Sequence, residues 1–352
     1  MWRRSSSPTS SASGSGRSSI ASRRAEALLL ATLALVACRD ERPSPPPPAP
    51  ASPSSSAPPP APASAPPPAP APAPAPASAP ALFLTGTPKS ARAIGHTSVV
   101  FKLELSTGKK AVFKPASRRG PHRYKGEIAA YRLGVALGID NVPEAYFRTF
   151  SHAAFASAAG ATTPSGELFV KEAIADKDGA VRGALIPWID DLDFIAFEKE
   201  PWWTRWRTWL RRDEPIPEDQ KDLARQASNL VVFDFLSGNW DRWSGGNVGW
   251  NKERAKLLYI DNDGAFFEVP PRDALAKNEK LLRAIDRFSR SFIAKIRELD
   301  DGALAKIFGD EREGAPLLSP KALAGVVDRR RQLLEILDAK ASDAGVDALS
   351  FP

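Results

Sequence analysis

The chain has 352 residues and a formal net charge of +7, with 43% hydrophobic residues, 34 prolines and a single cysteine. One cysteine excludes an intrachain disulfide framework, so a folded part must be held by an ordinary apolar core. Five arginines and one glutamate fall in residues 1–37, so +4 of the net charge belongs there and +3 to the remainder, which is too little to argue for a nucleic-acid partner.

The N-terminal elements point to export. Arg3, Arg4, Arg17, Arg23 and Arg24 form a basic region, followed by the eleven-residue apolar run Ala27 to Ala37. That run is short for a membrane span, which takes about 20 residues. It closes on Leu35-Val36-Ala37-Cys38, which resembles a bacterial lipobox. The expectation is a lipoprotein signal peptide over 1–37, lipidation at Cys38 and a membrane anchor made of acyl chains. The alternative is an ordinary signal peptide beside a free thiol. Arg39 follows Cys38 and lacks the acidic character of an inner-membrane retention signal, which favours the outer membrane within the cell envelope.

Residues 38–81 read as a spacer. Pro43 to Pro80 is almost wholly Pro, Ala and Ser and holds 19 of the 34 prolines. Such a segment cannot bury a core and favours extended polyproline II, about 3.1 Å per residue. A proline-motif docking site is the other reading.

The folded part is expected over 82–352. Thr97 to Leu105 alternates Phe101, Leu103 and Leu105 against Lys102 and Glu104, the period of a half-buried strand. "STG" turns the chain into a second strand, Lys109 to Lys114, which Pro115 ends. "EIAAYRLGVALG" predicts a helix with Ile128, Tyr131, Val135 and Leu137 sharing one face and Gly138 as its cap. "VPEAYFRTF" and "GELFVKEAIA" read as further strands. Glu218 to Gly238 predicts a long helix, "NVGW" and "KLLYID" a short hairpin, and Lys280 to Leu299 and Pro320 to Ala339 further helices. No internal repeat is visible.

"PWWTRWRTWLRR" places Trp202, Trp206 and Trp209 on one helical face among arginines. Three readings stand: a core-facing helix with a basic rim, an interfacial membrane helix, or a platform for a sugar or for an acidic or phosphorylated substrate.

The order of elements carries a chemistry. Lys114 ends a strand, Glu127 opens a helix, and "NWDRWSGGN" brings Asp241 and Asn247 into a glycine-softened loop. A short hairpin then returns the chain to Asp261. Phosphoryl transfer from a nucleotide uses such a set: a strand lysine on the phosphates, a helix glutamate holding that lysine, a loop carboxylate orienting the incoming hydroxyl, and an Asn and an Asp on divalent metal. Singly, each has a plainer reading: a solvated lysine, a helix-dipole glutamate, a local Asp241–Arg242 ion pair, and a "DNDG" turn.

"FKP", "GEIAAYRLGVALGIDNVP", "FDFLSGNWDR" and "YIDNDGAFF" together resemble the Golgi casein kinase family, atypical secretory-pathway kinases that phosphorylate secreted proteins or glycans. They resemble more distantly the phosphatidylinositol 3/4-kinases and HipA-type kinases. The resemblance spans about Phe101 to Phe267. It implies an α+β, two-lobed protein-kinase-like fold, with a sheet-rich N-lobe (82–185) built around one key helix and a helical C-lobe (186–352). It also implies a phosphotransferase that uses ATP or another nucleoside triphosphate with Mg²⁺ or Mn²⁺. Asp241 would be the catalytic base, Lys114 and Glu127 the nucleotide-binding pair, and Asp261 and Asn247 the metal ligands. Glu127 stands where the family's pseudokinases carry Gln, which favours activity.

The acceptor would be a protein Ser/Thr or a glycan, of the cell envelope or secreted, with the adenine near Leu168 to Ala175. The chain departs from the family in Trp243, where His is usual, and in Asn247, six residues after Asp241. It also has no clear glycine-rich loop before Lys114. Asn239 and Asn262 are the alternatives to Asn247. The competing functions are a catalytically inactive binding module and transfer of a nucleotidyl group.

Overall fold

The computed structural model describes residues 79–95, 98–309 and 316–351. The signal peptide, Cys38 and all but the end of the spacer lie outside the described residues. Helix α1 (Ala79–Thr85) already occupies the last residues assigned to the spacer. It is tied down by Arg148, which donates to the Phe83 carbonyl and to that of Gly86 (2.8 Å).

The first half is built on a five-stranded antiparallel sheet of β1 (Pro88–Ala93), β2 (Phe101–Leu105), β3 (Lys110–Pro115), β4 (Tyr146–Ser151) and β5 (Ala180–Pro187), in the order β1-β2-β3-β5-β4. Phe101, Leu103 and Leu105 are buried and Glu104 is exposed, as the alternation predicts. Pro115 is itself the last residue of β3 rather than the residue after it. It pairs with Gly183 of β5, a position where its missing N–H costs little at the end of the ladder.

Two helices absent from the sequence reading cover one face of the sheet. They are α3 (His152–Ala159) and α4 (Pro164–Glu172). The second replaces the strand expected over "GELFVKEAIA". Thr163 accepts a hydrogen bond from the Gly166 N–H (3.2 Å) and Pro164 fills the first turn. This start signal outweighs the β-like composition. Phe169 of α4 stacks on Phe155 at 4.2 Å, and both meet Phe101 edge-on. With Phe113 and Phe150 they form an aromatic core behind the sheet. Strand β5 was missed because "AVRGALIP" is broken by Arg and Gly.

The other face receives α2 (Arg123–Ala136), followed by Gly138 in a left-handed conformation, φ 68°. Its buried face is Glu127, Ile128, Ala130, Leu133 and Gly134. Tyr131 is only half-buried and Val135 is 61% exposed, so the predicted stripe is not buried throughout.

The second half is mainly helical. The long helix α6 (Lys221–Ser237) is buried along most of its length. Around it lie α5 (Trp202–Trp209), α7 (Arg272–Ala284), α8 (Arg290–Glu298), α9 (Asp301–Gly309) and α10 (Pro320–Ala344). A small antiparallel sheet, β6 (Leu192–Phe194), β7 (Val248–Asn251) and β8 (Lys256–Tyr259), carries the predicted hairpin. Among the described residues no helix is long and apolar enough to cross a membrane.

Because the ring cluster leaves no room to collapse, Phe155→Ala is expected to cost about 3–5 kcal/mol of stability. Denaturant unfolding monitored by circular dichroism checks this.

Candidate active site

Strand β3 turns Phe113 into the aromatic core and Lys114 to the opposite face, toward α2, because successive side chains alternate. Lys114 is buried, and its ammonium meets three carboxylates. It pairs with Glu127 of α2, with Asp261 Oδ1 at 2.6 Å, and with Asp263 Oδ2 at 3.8 Å. Burial disfavours the ammonium, but Asp261, Glu127 and Asp263 outweigh it and hold its pKa well above the usual lysine range. Burial also works against the Asp261 carboxylate, yet Lys114 and the more distant Arg242 and Arg123 keep its pKa below the usual range. Asp263 is pushed up to about 6 by burial, with Lys114 and Arg123 pulling against it and Asp261 and Glu127 adding to it. Arg123, in the first turn of α2, donates to Asp263 Oδ1 at 2.7 Å.

Glu127 also fixes the loop that bears Asp261. The Asn262 N–H donates to its Oε1 (3.0 Å) and the Asn262 amide to its Oε2 (3.4 Å). Asp261 itself is left-handed, φ 55°, a conformation that Asp tolerates better than most residues. Two glycines permit the close approach. A Cβ on Gly126 would lie 2.5 Å from the Asn262 carbonyl, and one on Gly264 would lie 2.9 Å from the Asp241 Cβ.

Asp241 sits on a loop zipped to the Asp261 loop. The Trp240 N–H donates to the Gly264 carbonyl (3.3 Å) and the Phe266 N–H to the Ser237 carbonyl (2.9 Å). The Asn247 amide donates to the Asp241 carbonyl at 2.8 Å, so the six-residue spacing still folds Asn247 back onto Asp241. The side-chain oxygens of Asn239 and Asn262 are engaged elsewhere. Asn239 Oδ1 accepts the Asp241 N–H (3.0 Å), and Asn262 Oδ1 accepts from Arg242 (2.6 Å) while its amide donates to the Tyr259 carbonyl (2.8 Å).

Sequence reasoning missed the role of Arg242. It does not pair with Asp241. Fully buried, it meets Asp234 of α6 at 3.1 and 3.2 Å and donates to the carbonyls of Asn247 (2.5 Å) and Ile260. One guanidinium thus joins α6, the Asp241 loop and the Asp261 loop. Burial pushes the Asp234 carboxyl up to about 6 despite the pull of Arg242. The i to i+8 spacing of Asp234 and Arg242 spans a helix end, and no local pattern announces it.

The tryptophan helix supports the same loop. Trp206 is fully buried, donates to the Phe197 carbonyl (2.9 Å) and stacks on Trp243 at 5.5 Å. Trp203 meets Trp243 edge-on at 5.7 Å. The face read as core, membrane anchor or substrate platform is therefore core. Trp243, the departure from the family's pattern, is the ring that fastens the Asp241 loop to it.

A small polar pocket of about 20 Å³ lies beside Lys114 and includes Ser117, Arg119, Arg123 and Asp263 in its walls. That is too small for a whole nucleotide, which needs hundreds of cubic ångströms. The expected strand over Leu168 to Ala175 does not line a cleft with its aromatic ring. Phe169 is fully buried behind the sheet.

Two stability tests follow from the Arg242 junction. Arg242→Met leaves Asp234 buried without its partner and is expected to cost about 3–5 kcal/mol, read by thermal unfolding. Asp234 has a folded pKa near 6, against about 3.9 unfolded, so the folded state keeps a proton that the unfolded state has lost. Its contribution to stability is present below about pH 4 and declines as pH rises to about 6. Asp234→Asn should flatten that part of the unfolding free energy against pH.

No protein-family model matches the chain, and no curated protein matches it in sequence. Solved structures do. The chain is similar to the structure of hydra Fam20 with sugar, at 18% identity and a TM-score of 0.55, covering 77% of this chain and 90% of that one. It is similar to the Golgi casein kinase, at 15% identity and a TM-score of 0.53, over 76% and 77% of the two chains. It is also similar to the Golgi casein kinase with Mn and ADP bound, at 16% identity and a TM-score of 0.53, over 75% and 76%. At these identities the likeness is one of fold: this chain has the kinase-like fold of the Golgi casein kinase structures, with an antiparallel sheet and one crossing helix followed by a helical half.

Proposed function

We propose that the chain is an atypical kinase, exported and lipid-anchored at Cys38 in the cell envelope. It transfers the γ-phosphate of a nucleoside triphosphate to a hydroxyl of a protein Ser/Thr or a glycan. One observation carries this reading: Lys114, Glu127 and Asp261 meet around a buried ammonium, from a strand, a helix and a loop far apart in sequence, and the Asp241 loop is hydrogen-bonded to the loop of Asp261. A solvated lysine and an isolated turn would not be gathered in this way.

The donor set fits a hard divalent cation, which takes carboxylate oxygens and nucleotide phosphates together. Asp261 and Asn247 would hold Mg²⁺ or Mn²⁺, whose chemistry is to neutralise charge on the phosphates. The Mn and ADP in one structure of similar fold support a nucleotide and a divalent metal here, and the sugar in another supports a glycan as one acceptor class. Lys114 keeps its positive charge at any physiological pH and braces the phosphates, and Glu127 holds it in place. Asp241 takes the acceptor's hydroxyl proton as the acceptor oxygen bonds to the γ-phosphorus. The bond to the bridging oxygen breaks with its electron pair, and the nucleoside diphosphate leaves. Outside the inner membrane the donor would have to come from an external source.

The purified full-length chain, assayed with Mg²⁺ and with Mn²⁺, is expected to turn over nucleoside triphosphate. Asp241→Ala should lower the rate by about 10²–10⁴-fold, and Asp261→Ala should remove metal-dependent turnover. No turnover together with no metal-dependent nucleotide binding overturns the enzyme reading in favour of a binding module. A nucleotidyl rather than a phosphate mass on the modified acceptor overturns the transfer assigned here.

A further inference from the structure

The apolar stripe along α2 does not all face the core. Tyr131, Val135 and Ile139 follow one another at four-residue steps along α2 and just past it, and they line a cavity of about 600 Å³ open to solvent. Val135, at 61% exposure, is among the most exposed large apolar residues described. Pro187 at the end of β5, Trp188 and Ile189 just after it, and Leu258 of the β7–β8 hairpin also line it. None of Lys114, Glu127, Asp241 or Asp261 lines it. A volume of this size is that of a ligand or peptide site.

Its rim has a sign. Asp140, Glu144, Asp190, Asp191 and Glu253 stand around it against Arg254 and Lys256. Lys256 is already paired with Asp140, and Glu144 accepts from the Tyr146 hydroxyl. Asp190, Asp191 and Glu253 are exposed and form no ion pair among the described residues. An apolar floor beneath a carboxylate rim suits one chemistry: aliphatic side chains set between Lys or Arg residues whose charged heads stay at the edge.

We propose that this groove docks an extended basic–apolar segment of the protein acceptor, away from the phosphate-transfer site. The assignment of the segment to an acceptor rests on the kinase reading; the chemistry of the groove does not. Walls from α2, from the connection between the two sheets and from the hairpin would hold one peptide, so a seated segment adds local concentration of the attached hydroxyl without a new contact at Asp241.

The test uses the full-length chain and a fluorescein-labelled nonapeptide of alternating Leu and Arg, with a second peptide carrying Glu in place of Arg. Fluorescence anisotropy is expected to show saturable binding of the basic peptide only. The affinity should weaken at least tenfold in Asp190→Lys/Glu253→Lys and in Val135→Lys, a change at an exposed position that leaves folding intact. Asp241→Ala should bind the peptide as the parent does, so loss of turnover and loss of docking are read separately. Nucleotide turnover without an acceptor should be unchanged in Val135→Lys. Absence of saturation, equal binding of both peptides, or unchanged affinity in both groove variants overturns the proposal. A dimer by analytical ultracentrifugation that these variants dissolve overturns it too, and gives the groove to a second copy of the chain.

Discussion

A lysine ammonium withdrawn from water needs compensating charge, and this need organises the molecule. Lys114 stands on a strand of the first sheet, Glu127 on the helix crossing that sheet, and Asp261 and Asp263 on a loop of the helical half. The ammonium can be satisfied only when all three segments converge. Glu127 serves both sides, accepting from Lys114 and from the Asn262 backbone. The same convergence places a cation beside the partly exposed Asp261 carboxylate, which is an arrangement suited to phosphate and metal.

Around that centre the chain invests in rigidity of the two loops. Arg242 ties α6 to both of them through charge-assisted hydrogen bonds in a fully buried setting. Trp243 ties the same stretch to Trp203 and Trp206 by ring packing, and Trp206 stacks in turn on Phe197. A polar junction on one side and an aromatic one on the other hold Asp241 between them. A chain without disulfides gains its precision at this loop from side-chain packing, and the tryptophan-rich helix is the visible part of that solution.

Much of this was legible in the sequence. Periodicity located β2, β3, α2, α6 and the β7–β8 hairpin, because each alternates or repeats apolar residues against water. The ordered set Lys114, Glu127, Asp241 and Asp261 could be picked out because residue type and sequence order suffice to suggest it. The α4 segment was misread because valine, phenylalanine and isoleucine look like a strand until the Thr163-Pro164 start is given its weight. The exposure of Tyr131 and Val135 was not legible, because a helical stripe says only that residues share a face, and nothing about what that face meets.

The sequence by itself determined the composition of a folded region after a proline-rich one, the periods of most elements and the identity of the charged residues available to a site. Only the tertiary structure decided which charges neutralise one another. It gave Arg242 to Asp234 rather than to its neighbour Asp241, spent Asn239 and Asn262 on holding loops, and buried the tryptophans under the Asp241 loop. The physical reason is that burial and partner are properties of contacts between distant segments. A residue's charge is written in the chain, but the cost of desolvating it, and hence the partner it must find, exists only once the fold has closed around it.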